Sequence, residues 1–340
     1  PGTLFWVMLL NMMCYMPTLS LAITVAYNAL KTDGADVVLV FPPIRVWGTV
    51  GFIAAMWMVS LLHLETSGGQ FYVASAASLL LGLYAFTLPA CPPRLRGQVH
   101  TSWLDTLGLT SFALLKNSKM AVFFVFAMLL GAALQLTNAY GDAFLSDFVK
   151  VPAYANLLAV KYSTIIISIS QFSETAFILT IPFFLKRFGI KAVMTMSMLA
   201  WVLRFGLFAF GDPAGGLWMI VLSCIIYGMA FDFFNISGSL FVESQADPKI
   251  RASAQGLFML MTNGVGAVLG SLIAGFVIDH FFTDPTCNDM VAVCKDWRGI
   301  WTAFALYALV MAVLFVPLFR HRHDPHKLVA AHGAVDVDNP

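Results

Sequence analysis

Residues 91–119 read CPPRLRGQVHTSWLDTLGLTSFALLKNSK, and their reading decides how the chain is organised. The stretch opens on Pro92-Pro93, carries Arg94, Arg96, Lys116 and Lys119, and is the longest break in an otherwise apolar chain. Proline donates no backbone hydrogen bond and holds the residue before it out of the helical region, so a helix arriving from the N-terminal side stops here. Over the whole chain of 340 residues, 59% are hydrophobic and only 11% charged, with a mean hydropathy of +0.82. So few charges cannot cover a water-exposed surface, which excludes a soluble globule. The apolar residues fall in runs of about twenty, the length that crosses roughly 30 Å of hydrocarbon. Residues 91–119 therefore read as a linker between two groups of membrane-spanning helices.

Outward from the linker, runs bounded by charges, Pro or Gly predict nine spans. Three precede it, at about 4–29, 44–63 and 71–90, and six follow, at about 120–140, 162–185, 190–210, 217–238, 253–278 and 300–319. The expected organisation is thus 1–90 as three spans of a first bundle, 91–119 as linker, 120–320 as a six-helix bundle and 321–340 as a tail. Lysine and arginine sort by side: 13 fall with the linker and the tail, 4 (Lys150, Lys161, Lys295 and Arg298) on the opposite side, and Arg45 and Arg204 lie within or at the ends of spans. The positive side is the cytoplasmic one, so the linker and C-terminus are expected inside and Pro1 outside. Three spans before the linker and six after it are lopsided, which predicts three more ahead of Pro1, where the chain starts without Met or a charged leader. Six plus six around a long cytoplasmic linker resembles the major facilitator superfamily, whose halves are parallel repeats around a midplane site. The fold class expected is an all-α polytopic membrane protein of that superfamily, N-terminally truncated, with about nine transmembrane helices.

Other functions are disfavoured by what the chain lacks. Nineteen Lys plus Arg against eighteen Asp plus Glu leave a net charge of +1, with no basic surface for nucleic acid. None of the five cysteines forms a C-x-x-C pair, so no metal site is expected. Cys287 and Cys294 share one outside loop, where a disulfide and two free thiols are both open. The sequence places no nucleophile beside a base with a third orienting group, so neither catalysis nor a cofactor is expected.

An ionisable group inside a span is costly unless it faces a cavity or a partner, so such residues are functional candidates. Glu174 lies mid-span, with Gln171 one turn before it on the same face. Asp232 lies in Tyr227-Gly228-Met229-Ala230-Phe231-Asp232, where Tyr227 and Phe231 are an i, i+4 pair. Either carboxylate can instead pair with Arg204 and hold two helices together, and the two rings can simply pack. Arg45 opens the second span and is followed by Thr49 and Phe52 at i+4 and i+7, so a cation, a hydroxyl and a ring share one face; an interfacial, snorkelling arginine is the competing reading. Gln135 adds an amide to the fourth span. Together these residues suit a neutral polar ligand with a flat ring, and a protonatable carboxylate among them could couple its movement to a proton gradient. Gly264, Gly266 and Gly270 read as close-packing or hinge points rather than as a phosphate loop.

The strings Tyr15-Met16-Pro17-Thr18-Leu19, Phe41-Pro42-Pro43-Ile44-Arg45 through Phe52, Gln171-Phe172-Ser173-Glu174, Phe231 through Gly238, and Arg251-Ala252-Ser253-Ala254-Gln255-Gly256 resemble the bacterial nucleoside:proton symporters of the major facilitator superfamily. The resemblance runs along essentially the whole chain. It implies that Arg45, Thr49, Phe52, Gln135, Gln171, Glu174, Tyr227, Phe231 and Asp232 form a nucleoside site, with Glu174 and Asp232 the candidates for proton coupling. It implies alternating access in the bacterial inner membrane, with nucleoside and protons as partners and membrane lipid as surroundings. A symporter of another polar solute such as an oligosaccharide, or a transport-inactive membrane sensor, are the other readings of the same fold.

Overall fold

The computed structural model describes residues 2–34, 37–64, 67–88, 109–246, 250–287 and 293–320. The chain forms two compact units, residues 1–99 and 100–340. In the first, α1 (Gly2–Thr32), α2 (Val37–Leu61) and α3 (Gly69–Ala85) follow one another. Gly34, just after α1, has a φ of +69°, a left-handed turn that glycine enters at no steric cost. α1 packs on α2, and α3 buries none of its residues. Lipid tails are as apolar as leucine, so an uncovered apolar helix surface carries no penalty in a bilayer.

In the second unit a 3-10 helix, Leu109–Lys116, leads into α4 (Ser118–Asp147), capped by Asn117, whose side-chain oxygen accepts from the Lys119 backbone N–H at 3.0 Å. A short helical turn, Leu158–Lys161, precedes Ser163–Phe210, a helical stretch of 48 residues. At 1.5 Å per residue it would be about 72 Å long, more than twice the hydrocarbon thickness. Gly189, at φ +78°, breaks it into α5 (163–188) and α6 (190–210). Only glycine turns there cheaply, and the break falls within the basic run Lys186-Arg187-Phe188-Gly189-Ile190-Lys191. α7 (Leu217–Gln245) follows. α8 (251–281) is α-helical over Arg251–Met259, widens into a π-helical segment over Leu260–Gly266 and tightens again over Ala267–Phe281. α9 (Trp297–Leu318) starts at Asp296, whose carboxylate accepts from the Gly299 backbone N–H at 3.0 Å.

Each of the nine expected spans falls on a helix, and the differences are at the ends. α2 begins at Val37 rather than 44 and runs through Pro42 and Pro43. Within lipid, abandoning the helix would strand more backbone groups than two prolines do. α4 and α7 continue past the apolar runs that announced them, because backbone hydrogen bonds close locally whether or not the side chains are apolar. Five described stretches are long and apolar enough to cross a membrane: Ser118–Lys150, Ser163–Phe210 (two crossings), Leu217–Val242, Ser253–Phe281 and Trp297–Leu318. Most of the expected linker, 91–108, and the tail, 321–340, lie outside the described residues.

The core of the second unit is aromatic and closely spaced. Phe123 of α4 meets Phe241 of α7 at 4.9 Å and Phe258 of α8 at 5.5 Å between ring centroids. At the opposite end of the bundle Trp301 of α9 stacks on Phe208 of α6 at 4.7 Å. Small residues set the α4–α8 distance: a Cβ on Gly270 would come within 2.7 Å of the Ala132 Cα, and one on Gly266 or Gly131 would strike the Met128 or Thr262 carbonyl. The close-packing reading of Gly266 and Gly270 therefore holds, whereas Gly264 faces only Leu260 of its own helix. Where the hydrophobic effect does not press helices together, such contacts and interhelical hydrogen bonds do.

Candidate functional site

The site is built where α5 and α7 come closest. A Cβ on Gly228 would approach the Ser173 carbonyl oxygen to 2.5 Å, so the two backbones nearly touch there. The Ser173 hydroxyl donates to the Ile225 carbonyl and accepts from the Gly228 N–H at 3.2 Å, satisfying both capacities across the helix pair. One residue along from this lock stand Glu174 on α5 and Tyr227 on α7. Glu174 is 9% exposed and Asp232 2%. Tyr227 is buried within Coulombic reach of Glu174, Asp232 and Arg204. Its ring stacks on Phe231 with centroids 5.7 Å apart and planes 7° from parallel, the i, i+4 pair that the sequence predicts. Phe231 in turn lines a narrow cavity with Leu130, Trp201, Asn235, Thr262 and Asn263, the last two supplied by the π-helical segment of α8. Such segments open the backbone ladder and recur at functional sites.

Arg204 of α6 is fully buried, but it pairs with neither carboxylate. Its Nη1 donates to the Ser223 carbonyl at 2.7 Å, and the Ser223 hydroxyl donates back to the Arg204 carbonyl at 3.0 Å. The guanidinium lies over Tyr227, 4.6 Å from the ring centroid, and over Phe208 at 5.2 Å. Arg204 thus holds α6 to α7, and the reading in which it neutralises Glu174 or Asp232 is replaced by this one.

Glu174, Tyr227, Phe231 and Asp232 are the predicted residues that the second unit brings together. Gln135 on α4 and Gln171 on α5 are half-buried, and neither side-chain amide is hydrogen-bonded among the described residues. On α2, in the first unit, Thr49 is half-buried and Phe52 is 54% exposed. Arg45 belongs to α2, but its side chain lies outside the described residues. Sequence reasoning missed Ser173, Gly228 and Trp201. Gly228 between Tyr227 and Phe231 is the signal that could have found the first two, since a glycine inside an apolar span is most often where another helix comes close.

The flat stacked rings suit an aromatic base, and buried carboxylates beside them suit hydroxyl donors or a proton. Among the described residues no cluster of His, Cys, Asp and Glu could hold a metal ion. The family profile described as "Nucleoside H+ symporter" matches residues 1–324. The chain belongs to the nucleoside H+ symporter family. It is 56% identical over 336 residues to the xanthosine permease of Escherichia coli (strain K12), covering 98% of this chain and 78% of that one. It is 51% identical over 324 residues to the nucleoside permease NupG of the same organism, covering 95% and 75%. A crystal structure of a point mutant of the nucleoside transporter NupG, 51% identical in sequence, superposes with a TM-score of 0.85 over 94% of this chain and 78% of that chain. As a nucleoside H+ symporter family member the chain is all-helical, with the major facilitator fold, and its relatives are permeases rather than enzymes.

Proposed function

We propose that this chain imports nucleosides across the bacterial inner membrane, driven by protons and working by alternating access. One observation carries the reading: two parallel rings, Tyr227 and Phe231, with two buried carboxylates, Glu174 and Asp232, within Coulombic reach of Tyr227. The rings receive the base, and the carboxylates serve the ribose hydroxyls and the coupled proton. Gln135 and Gln171 offer amides to the base or sugar, and for Arg45, Thr49 and Phe52 the family resemblance is what supports a nucleoside-binding role. The C-terminus is placed in the cytoplasm, which the 13-to-4 asymmetry of Lys and Arg supports. The disulfide Cys287–Cys294, in the loop before α9, supports the same orientation, since such bonds persist on the oxidising side of the membrane.

The test is uptake of labelled uridine and adenosine by cells expressing the protein, at several external pH values and with a protonophore. Uptake that collapses with the proton gradient and is competed by nucleosides but not by free sugars is the expected result. Confirmed membrane insertion without nucleoside uptake would overturn it.

A further inference from the structure

Arg204 is the one fully buried arginine among the described residues, and helix stapling does not account for it. A charge in an apolar interior is costly unless its donors are satisfied. Here only Nη1 has an oxygen partner, the Ser223 carbonyl; Nε and Nη2 meet no oxygen among the described residues, and the guanidinium's other polar neighbour is the Cys224 thiol of α7, a weak acceptor. An arginine kept only to join two helices would spend those donors on carbonyls or on a carboxylate. Instead its guanidinium lies over rings, with its central carbon 4.6 Å from the Tyr227 centroid, the nearer of the two. Trp201, one turn earlier on α6, meets the same Tyr227 ring edge-on at 6.1 Å. Tyr227 is therefore held from α6 by a cation and an indole, and it stacks on Phe231 along its own helix.

We propose that Arg204 is a positioning residue for the nucleoside: its guanidinium clamps the buried Tyr227 ring in the pose that stacks on Phe231, so that Phe231, the half-buried ring that lines the cavity, is held in one fixed position for the base. The inference rests on the reading that these two rings receive the base. Guanidinium–ring attraction strengthens when both partners are desolvated, which is the setting here. Preorganising the platform removes an ordering cost that binding would otherwise carry.

The experiment combines equilibrium binding of labelled uridine to the purified protein with uptake kinetics in cells. Arg204→Met is expected to weaken binding and raise KM by about three- to thirtyfold, the span from an exposed to a desolvated cation–ring contact, with Vmax per inserted transporter little changed. In a Tyr227→Leu background the same substitution should have no further effect, because its route of action is gone. Losses that simply add in the double variant overturn the clamp. If Arg204→Met does not insert, Arg204→Lys decides: it keeps the charge without the broad planar guanidinium and should still raise KM, and a wild-type KM overturns the clamp. Wild-type protein that binds uridine no more tightly than its Arg204 variants sinks the clamp alone. Wild-type protein that binds no nucleoside sinks the functional reading, and the clamp with it.

Discussion

A carboxylate inside a membrane span is costly unless it faces a cavity or a partner, and Glu174 and Asp232 are both buried within spans. Replacing both together, by Glu174→Gln and Asp232→Asn, should leave uptake indifferent to external pH and to a protonophore; an unchanged pH profile would refute their role in coupling. Phe231→Ala removes one face of the stacked pair, at about 1–3 kcal/mol, and should raise KM for uridine roughly five- to 140-fold. Equal affinity in that variant would mean that Phe231 packs without touching the base. Both carboxylates and both rings were legible in the sequence, because charge in an apolar run and i, i+4 spacing are one-dimensional signals. The partner of Arg204 was not. Its choice of the Ser223 carbonyl and the Tyr227 ring over a carboxylate depends on which face of α6 meets α7, and spacing along one helix says nothing about rotation against another.

Between elements, distance is governed by what is absent from a side chain. Gly270 sits against Ala132, where an added Cβ has no room, whereas Gly275 on the same helix has nothing within 4 Å. Gly270→Leu should therefore force α8 from α4 and lower stability by about 1–3 kcal/mol, while Gly275→Leu should be close to neutral. Thermal unfolding of the two purified variants checks this, and equal melting temperatures would contradict the close packing. The small residues of α8 signalled close approach in the sequence. The widening over Leu260–Gly266 carried no such signal, since a π-helical turn obeys no side-chain periodicity. The two breaks differ in the same way. Gly189, inside a basic run, announces a turn, whereas Pro42 and Pro43 announced one that lipid does not permit.

At the scale of the molecule, orientation is the property most open to direct test. With the loop before α9 outside, a membrane-impermeant thiol reagent applied to intact, wall-permeabilised cells should label Cys287 and Cys294 only after reduction. That signal should vanish in a Cys287→Ser, Cys294→Ser variant, and labelling confined to inverted vesicles would reverse the topology. Hydropathy and charge placement are enough to predict helical spans and an expected sidedness, because the bilayer acts on each segment separately: length, apolarity and flanking Lys or Arg are local quantities. The family strings added the identities of candidate site residues. Only the tertiary structure decided that Ser173 and Gly228 lock α5 to α7, that Glu174 lies within Coulombic reach of Tyr227, and that the Arg204 guanidinium lies over the Tyr227 ring. Those are relations between helices, settled by how closely two backbones approach and how each helix is rotated, and a single chain of residues does not carry that geometry in its order.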